Sequence, residues 1–170
     1  SLISENLISL HTINELLLHF NYAASDKNSR PPAITLPNIR IQAAEAWCLI
    51  RNLPLILCSK IPENQPHWNL LIMLLDCIDL IFAPEITAGM ISLLEVLIAD
   101  HHAYFKELYP DKNLIPKHHF MIHYTEFMSK FGPLSQYWCM RFEAKHRFGK
   151  EVASVVRNFK NINKTIVHRY

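Results

Sequence analysis

A mainly helical protein, one bundle-like domain of about six helices, is predicted by three observations. Glycine is scarce, three residues against ten prolines. The stretches between prolines are rich in Leu, Ile and Ala, and their apolar residues recur at helical rather than alternating spacing, so the prolines read as turns between helices. With 170 residues, half of them apolar and 19% charged, the chain can bury a core without disulfides or a structural metal.

The first helix is predicted over 5–20, where Leu7, Leu10, Ile13, Leu17 and Leu18 share a face. The stretch "NYAASDKNSRPPAITLPN" then breaks it and reads as a linker or a mobile excursion. A second helix is expected from about Ile39 to Asn52, ended or kinked by Pro54. The third, Pro66 to Phe82, is apolar almost all round and is expected at the centre of the bundle. A fourth starts after Pro84 with Thr87 as its cap and runs to Tyr109. The fifth begins at Pro116, which suits the first helical position, and stops at Gly132-Pro133. The sixth covers about 135–156. These elements group as 1–38, an N-terminal helix and Pro/Ser-rich linker; 39–134, a helical middle region; and 135–170, a basic C-terminal helix and tail.

Several function classes are excluded. There is no strand–helix alternation, no GxGxxG or GxxxxGK loop and no nucleophile elbow, which argues against the common nucleotide-binding and hydrolase enzymes. "LLIMLLDCIDLIFAP" is interrupted by Asp76 and Asp79 and ends at Pro84, short of the roughly 20 apolar residues a membrane span needs. No membrane partner is therefore expected. The N-terminus has no basic segment followed by a cleavage site, so no secretory signal is expected. Cys48, Cys58, Cys77 and Cys139 form no CxxC pair and lie among apolar residues, as reduced buried thiols of an intracellular protein do.

Charge is unevenly placed. Residues 1–140 carry 9 Lys or Arg and 13 acids, a net −4, whereas 141–170 carry 8 and 2, a net +6. A polyanion would bind the end of the chain; a solvated basic helix is the plainer reading.

Three groups of residues could carry chemistry. His119 and His123 stand four apart on the fifth helix, the spacing at which two imidazoles meet one metal, although the Glu that marks metalloproteases is replaced by Phe120. Packing within a helix interface is the competing role for these rings. Asp76 and Asp79 sit one turn apart on the most apolar helix, where a carboxylate is costly unless paired with Arg40, Arg51, a histidine or a helix end. Glu143, in "MRFEAKH", shares a helical face with His146, Arg147 and Lys150. That face is either an ordinary ion-pair surface or one metal-binding carboxylate beside cations for a phosphate backbone.

The segment "IPKHHFMIHYTEFMSKFGPLSQYWCMRFEAKHRFGKEVASVVRNFKNINKTIVHR" is more specific than its spacing. A His-rich helix, Gly-Pro-Leu, Trp, Arg-Phe-Glu with Lys-His, then Asn-Phe-Lys-Asn resembles the C-terminal catalytic region of transposable-element proteins related to CACTA-type (En/Spm-like) DDE transposases. "AAEAWCLIRNLPLIL", "LLDCIDLIFAPEIT" and "IADHHAYFKELYPDKNLIPKHH" extend the likeness upstream, so that it covers roughly 40–170.

The resemblance implies an RNase H-like core in which two strand-end aspartates and a helical glutamate bind two divalent metals, with a helical insertion before the glutamate. On that basis 39–134 is insertion-like, and Glu143 is the catalytic, metal-binding glutamate. Arg141, Lys145, Arg147, Lys150, Arg157 and Lys160 become the DNA contacts. Trp138 and His146 would orient Glu143, and His118, His119 and His123 would be structural or stand behind the ligands. Mg2+ or Mn2+ is implied for the complete protein and no cofactor for this chain alone. The partners would be DNA and an upstream catalytic core, and the location the nucleus. The strands and both aspartates are not found in these 170 residues. The chain alone is thus expected to be an inactive fragment or a domesticated remnant; a non-enzymatic helical interaction or DNA-binding module is the alternative.

Overall fold

In the computed structural model, residues 7–37, 39–137 and 150–155 are described, together with Ile3, Glu5, Asn161, Lys164, Ile166 and His168. The order is α1 (Leu10–His19), α2 (Ala43–Leu57), α3 (Pro66–Ile81), α4 (Ala88–Leu108) and α5 (Pro116–Phe131), with 3-10 turns at Ala24–Ser29 and Leu134–Gln136. Among the described residues there is no strand. The all-helical class follows directly.

Helix starts obey local capping chemistry. Ser9 Oγ accepts from the Thr12 N–H at 3.0 Å, the Glu45 carboxylate accepts from the Gln42 N–H at 2.7 Å, and Thr87 Oγ1 accepts from the Met90 N–H at 3.2 Å. Each satisfies a donor that the first helical turn leaves without a carbonyl. Pro66 and Pro116 begin α3 and α5, where a missing N–H costs nothing. At the end of α5, Gly132 takes φ 85° while its N–H bonds the Met128 carbonyl at 3.0 Å. A side chain is disfavoured at that φ, so the helix ends there and Pro133 follows.

Two differences from the sequence reading concern α2 and the segment before it. α2 starts at Ala43 rather than Ile39 and runs through Pro54 to Leu57. A proline in the last turn forfeits one bond, that to the Ile50 carbonyl, while the extra turn carries Ile56 and Leu57 into the core. The stretch between α1 and α2 is tied to α1 rather than free. Asn14 both donates to the Ile34 carbonyl (3.0 Å) and accepts its N–H (2.7 Å), and Arg30 donates to the Leu18 carbonyl at 3.0 Å.

The buried residues form two clusters. Ile8, Ile13, Leu17, Ile56, Leu57 and Ile61 close the gap between α1 and α2. Cys77, Ile81, Leu94, Ile98 and Met128 join α3, α4 and α5. Trp47 of α2 packs edge-on against Phe82 at the end of α3, ring centroids 4.4 Å apart, and so links the two halves.

Asp76 and Asp79 are not buried. Both are exposed on α3, in a shallow depression beside Leu93 and Leu97 of α4. The apolar sequence of α3 does not enclose it: of its sixteen residues only Cys77 and Ile81 are fully buried, and it packs mainly against α4. Water solvates the two carboxylates and no buried cation is needed. Among the cysteines, Cys48 and Cys77 are buried as expected, but Cys58 is exposed.

Candidate functional site

Polar chemistry in the described part concentrates where α3, α4 and α5 meet. His101 and His102 are consecutive on α4, yet both are enclosed, 4% and 8% exposed, because the α5 ring of His118 lies against them. The centroid of His118 is 6.2 Å from His101, nearly parallel, and 5.3 Å from His102, edge-on. Phe105 covers the other side of His118 at 4.9 Å.

Protonation of these rings is opposed by their setting. Burial pushes His101 down to about 4, with His102 and His118 pushing the same way. Burial also lowers His102, and His118 adds to it. Among the described residues His101 Nδ1 and His102 Nε2 have no hydrogen-bond partner, and the groups that shift the two rings are histidines rather than acids. On α5, His118 Nδ1 accepts from the Ile115 N–H at 3.2 Å and so closes the first turn of the helix.

Beside this cluster runs an apolar groove of about 450 Å³, lined by Leu70, Leu71 and Leu74 of α3, His101 and Phe105 of α4, and Ile115, His118 and Met121, with Lys117 at its edge. His67, at the start of α3, lines the same groove and joins a hydrogen-bonded chain. Its Nε2 meets Glu5 Oε1 at 2.5 Å, and its Nδ1 is hydrogen-bonded with the Tyr109 hydroxyl at 2.7 Å. Carboxylate, imidazole and hydroxyl in this order resemble a hydrolytic triad, but burial first, and Glu5 second, push the Tyr109 phenol up. The phenol therefore keeps its proton at neutral pH and forms the hydrogen-bonding end of the chain. The chain instead ties Glu5 to α3 and α4, aided by Gln65, which donates to Glu5 Oε2 at 2.7 Å.

The cysteines offer no nucleophile in the core. Burial, with Asp76 next, pushes Cys77 up to about 11, and burial raises Cys48 as well. A thiol without thiolate character does not react.

The sequence-predicted residues separate into two sets. Glu143, Arg141, Lys145, Arg147, Arg157, Lys160, Trp138 and His146 lie outside the described residues. Lys150 lies in the helical stretch 150–155 and is exposed. Of the three histidines on α5, His118 turns inward to His101 and His102, while His119 and His123 meet each other on the outer side. Among the described residues no group of three His, Cys, Asp or Glu is placed to hold a metal ion, and no helix is long and apolar enough to cross a membrane.

Sequence reasoning missed the Glu5–His67–Tyr109 chain. Its members are 62 and 42 positions apart, and no local pattern announces a contact of that range. The grouping of His118 with His101 and His102 is a contact between α4 and α5, which spacing within one helix does not announce. No family model, no curated protein and no solved structure matches the chain.

Proposed function

We propose that this chain is the helical part, or a domesticated remnant, of a DNA transposase whose complete form cleaves and transfers DNA strands with divalent metal ions. The observation that carries the reading is the pattern of residues 115–169, with Arg141-Phe142-Glu143 and Lys145-His146 after the His-rich helix and Gly132-Pro133-Leu134. The all-helical body of α2 to α5 is compatible with the helical insertion that the resemblance implies.

In this reading Glu143 is the third carboxylate of a two-metal centre for Mg2+ or Mn2+. Arg141, Lys145, Arg147, Lys150, Arg157 and Lys160 neutralise phosphates of the DNA, in the nucleus. A single carboxylate does not make a two-metal site. Cleavage therefore requires two aspartates from an upstream core, and the chain alone is inactive.

The test is made in a protein carrying such an upstream pair together with residues 40–170. Glu143→Ala is expected to abolish Mg2+-dependent nicking while leaving DNA affinity within a few-fold. Nicking that survives the substitution overturns the assignment of Glu143.

One observation favours a second reading, a non-enzymatic interaction module. Phe120, Phe127 and Phe131 are exposed on α5, with Phe127 stacked on Phe131 at 6.0 Å and Tyr137 edge-on beyond it. Exposed aromatic rows of this kind suit a protein contact. DNA binding that is indifferent to the basic residues, with Phe127→Ser disrupting association with a protein partner, would select this reading over the first.

A further inference from the structure

His119 and His123 differ from the other α5 histidine in being turned away from the core. Their Nε2 atoms lie 3.2 Å apart, with the rings at 86°. His119 is exposed and His123 half-buried, so the gap between the two nitrogens is open to solvent. At this distance one ring can donate an N–H···N hydrogen bond to the other; with both Nε2 atoms deprotonated, the two lone pairs can instead be shared by one cation.

The distance suits a cation. With metal–nitrogen bonds of about 2.0–2.1 Å, a separation of 3.2 Å corresponds to a nitrogen–metal–nitrogen angle of about 100°, between square-planar and tetrahedral values. The i, i+4 register on a regular helix holds this geometry without any loop. Three residues further on, Glu126 stands close enough to be stabilised by His123 as well as, more strongly, by Lys130. Glu126 is ion-paired with Lys130, so together they add no net charge beside the two histidines.

We infer that His119 and His123 form a surface chelate for a borderline transition-metal ion of the Zn2+, Ni2+ or Cu2+ class. Its remaining positions are open to water or to a donor from a second molecule. Imidazole ligands select these ions, whereas Mg2+ and Ca2+ take oxygen ligands. The site is therefore chemically distinct from any carboxylate centre at Glu143 and does not depend on the transposase reading.

The experiment is calorimetric titration of the tag-free chain with ZnCl2 and NiCl2, and with MgCl2 for contrast. One saturable site of micromolar Kd for Zn2+ and Ni2+ is expected, with no competition from Mg2+. His119→Ala should weaken it roughly ten-fold or more, since one imidazole alone lacks the chelate advantage. His123→Gln, which keeps a hydrogen-bonding group but not a good ligand, should do the same. His11→Ala and His19→Ala should leave it unchanged. Helicity by circular dichroism should not change in any variant. On the wild-type chain, the ring resonances of His119 and His123 should shift first on adding Zn2+. Affinity unchanged in both His119→Ala and His123→Gln, resonance shifts confined to other histidines, or no saturable binding, would overturn the inference.

Discussion

The two cores of this protein are built from different materials. The cluster between α1 and α2 is aliphatic throughout, with Ile8, Ile13, Leu17, Ile56, Leu57 and Ile61. The cluster of α3, α4 and α5 also buries Leu94 and Ile98, yet it continues along α4 into two enclosed imidazoles, each with an unpartnered nitrogen. An aliphatic core gives up nothing when pH changes. A core extended by neutral histidines is stable only while they remain neutral. The comparison locates the acid response of buried histidines in the half formed by α3, α4 and α5, whereas the buried Tyr22 and Cys48 of the other half are shifted upward.

The largest effect should come from emptying either core. Leu94 is fully enclosed and Leu57 nearly so, and truncating each to alanine should cost about 2–5 kcal/mol, read as a fall in the urea midpoint. Equal losses at neutral pH with unequal losses at pH 5 would sharpen the contrast between the halves.

Next comes the pH response itself. The folded His101 value, about 4, lies below the usual 6.5, so between these values the unfolded chain binds a proton that the folded chain refuses. Stability is therefore full above about pH 6.5 and declines as pH falls toward 4, by up to about 3 kcal/mol from this group. His101→Leu should flatten that decline, and a pH profile identical to wild type would remove the burial of His101 as its cause.

Capping offers a smaller comparison across the same divide. Ser9→Ala at α1 and Thr87→Ala at α4 should each cost about 1 kcal/mol in thermal or urea unfolding, since each removes one N-cap acceptor. The smallest effect is expected at Asp76→Asn and Asp79→Asn, within about 0.5 kcal/mol, because both carboxylates are exposed. A loss of several kcal/mol there would restore the buried ion pair that the apolar sequence of α3 suggested.

Much of the fold was legible because its boundaries are chemical. Pro66, Thr87, Pro116 and Gly132 mark the ends of α3, α4 and α5, and each acts through its own backbone rather than through tertiary contacts. α2 was read less well, since the cost of Pro54 in a last turn is set against the burial of Ile56 and Leu57, which periodicity does not weigh. The exposure of Asp76 and Asp79 was hidden by the apolar sequence around them, since periodicity does not tell that α3 packs mainly against α4. In the candidate site, the His119–His123 pair could be read from its spacing. The enclosure of His101 and His102 by His118 depends on how α4 packs against α5, and the tie from Glu5 through His67 to Tyr109 on contacts distant in sequence.

The functional account rests on a division of labour between a net-acidic helical body and a basic end, and DNA affinity measured against salt tests it most directly. Duplex binding by the 170-residue chain should weaken linearly on a log–log plot with a slope of about −5, each of the six phosphate contacts contributing about 0.9. Replacing Arg147, Lys150, Arg157 and Lys160 together by alanine should remove most of that slope. An affinity that ignores salt, or a slope that survives loss of all four cations, would contradict the account.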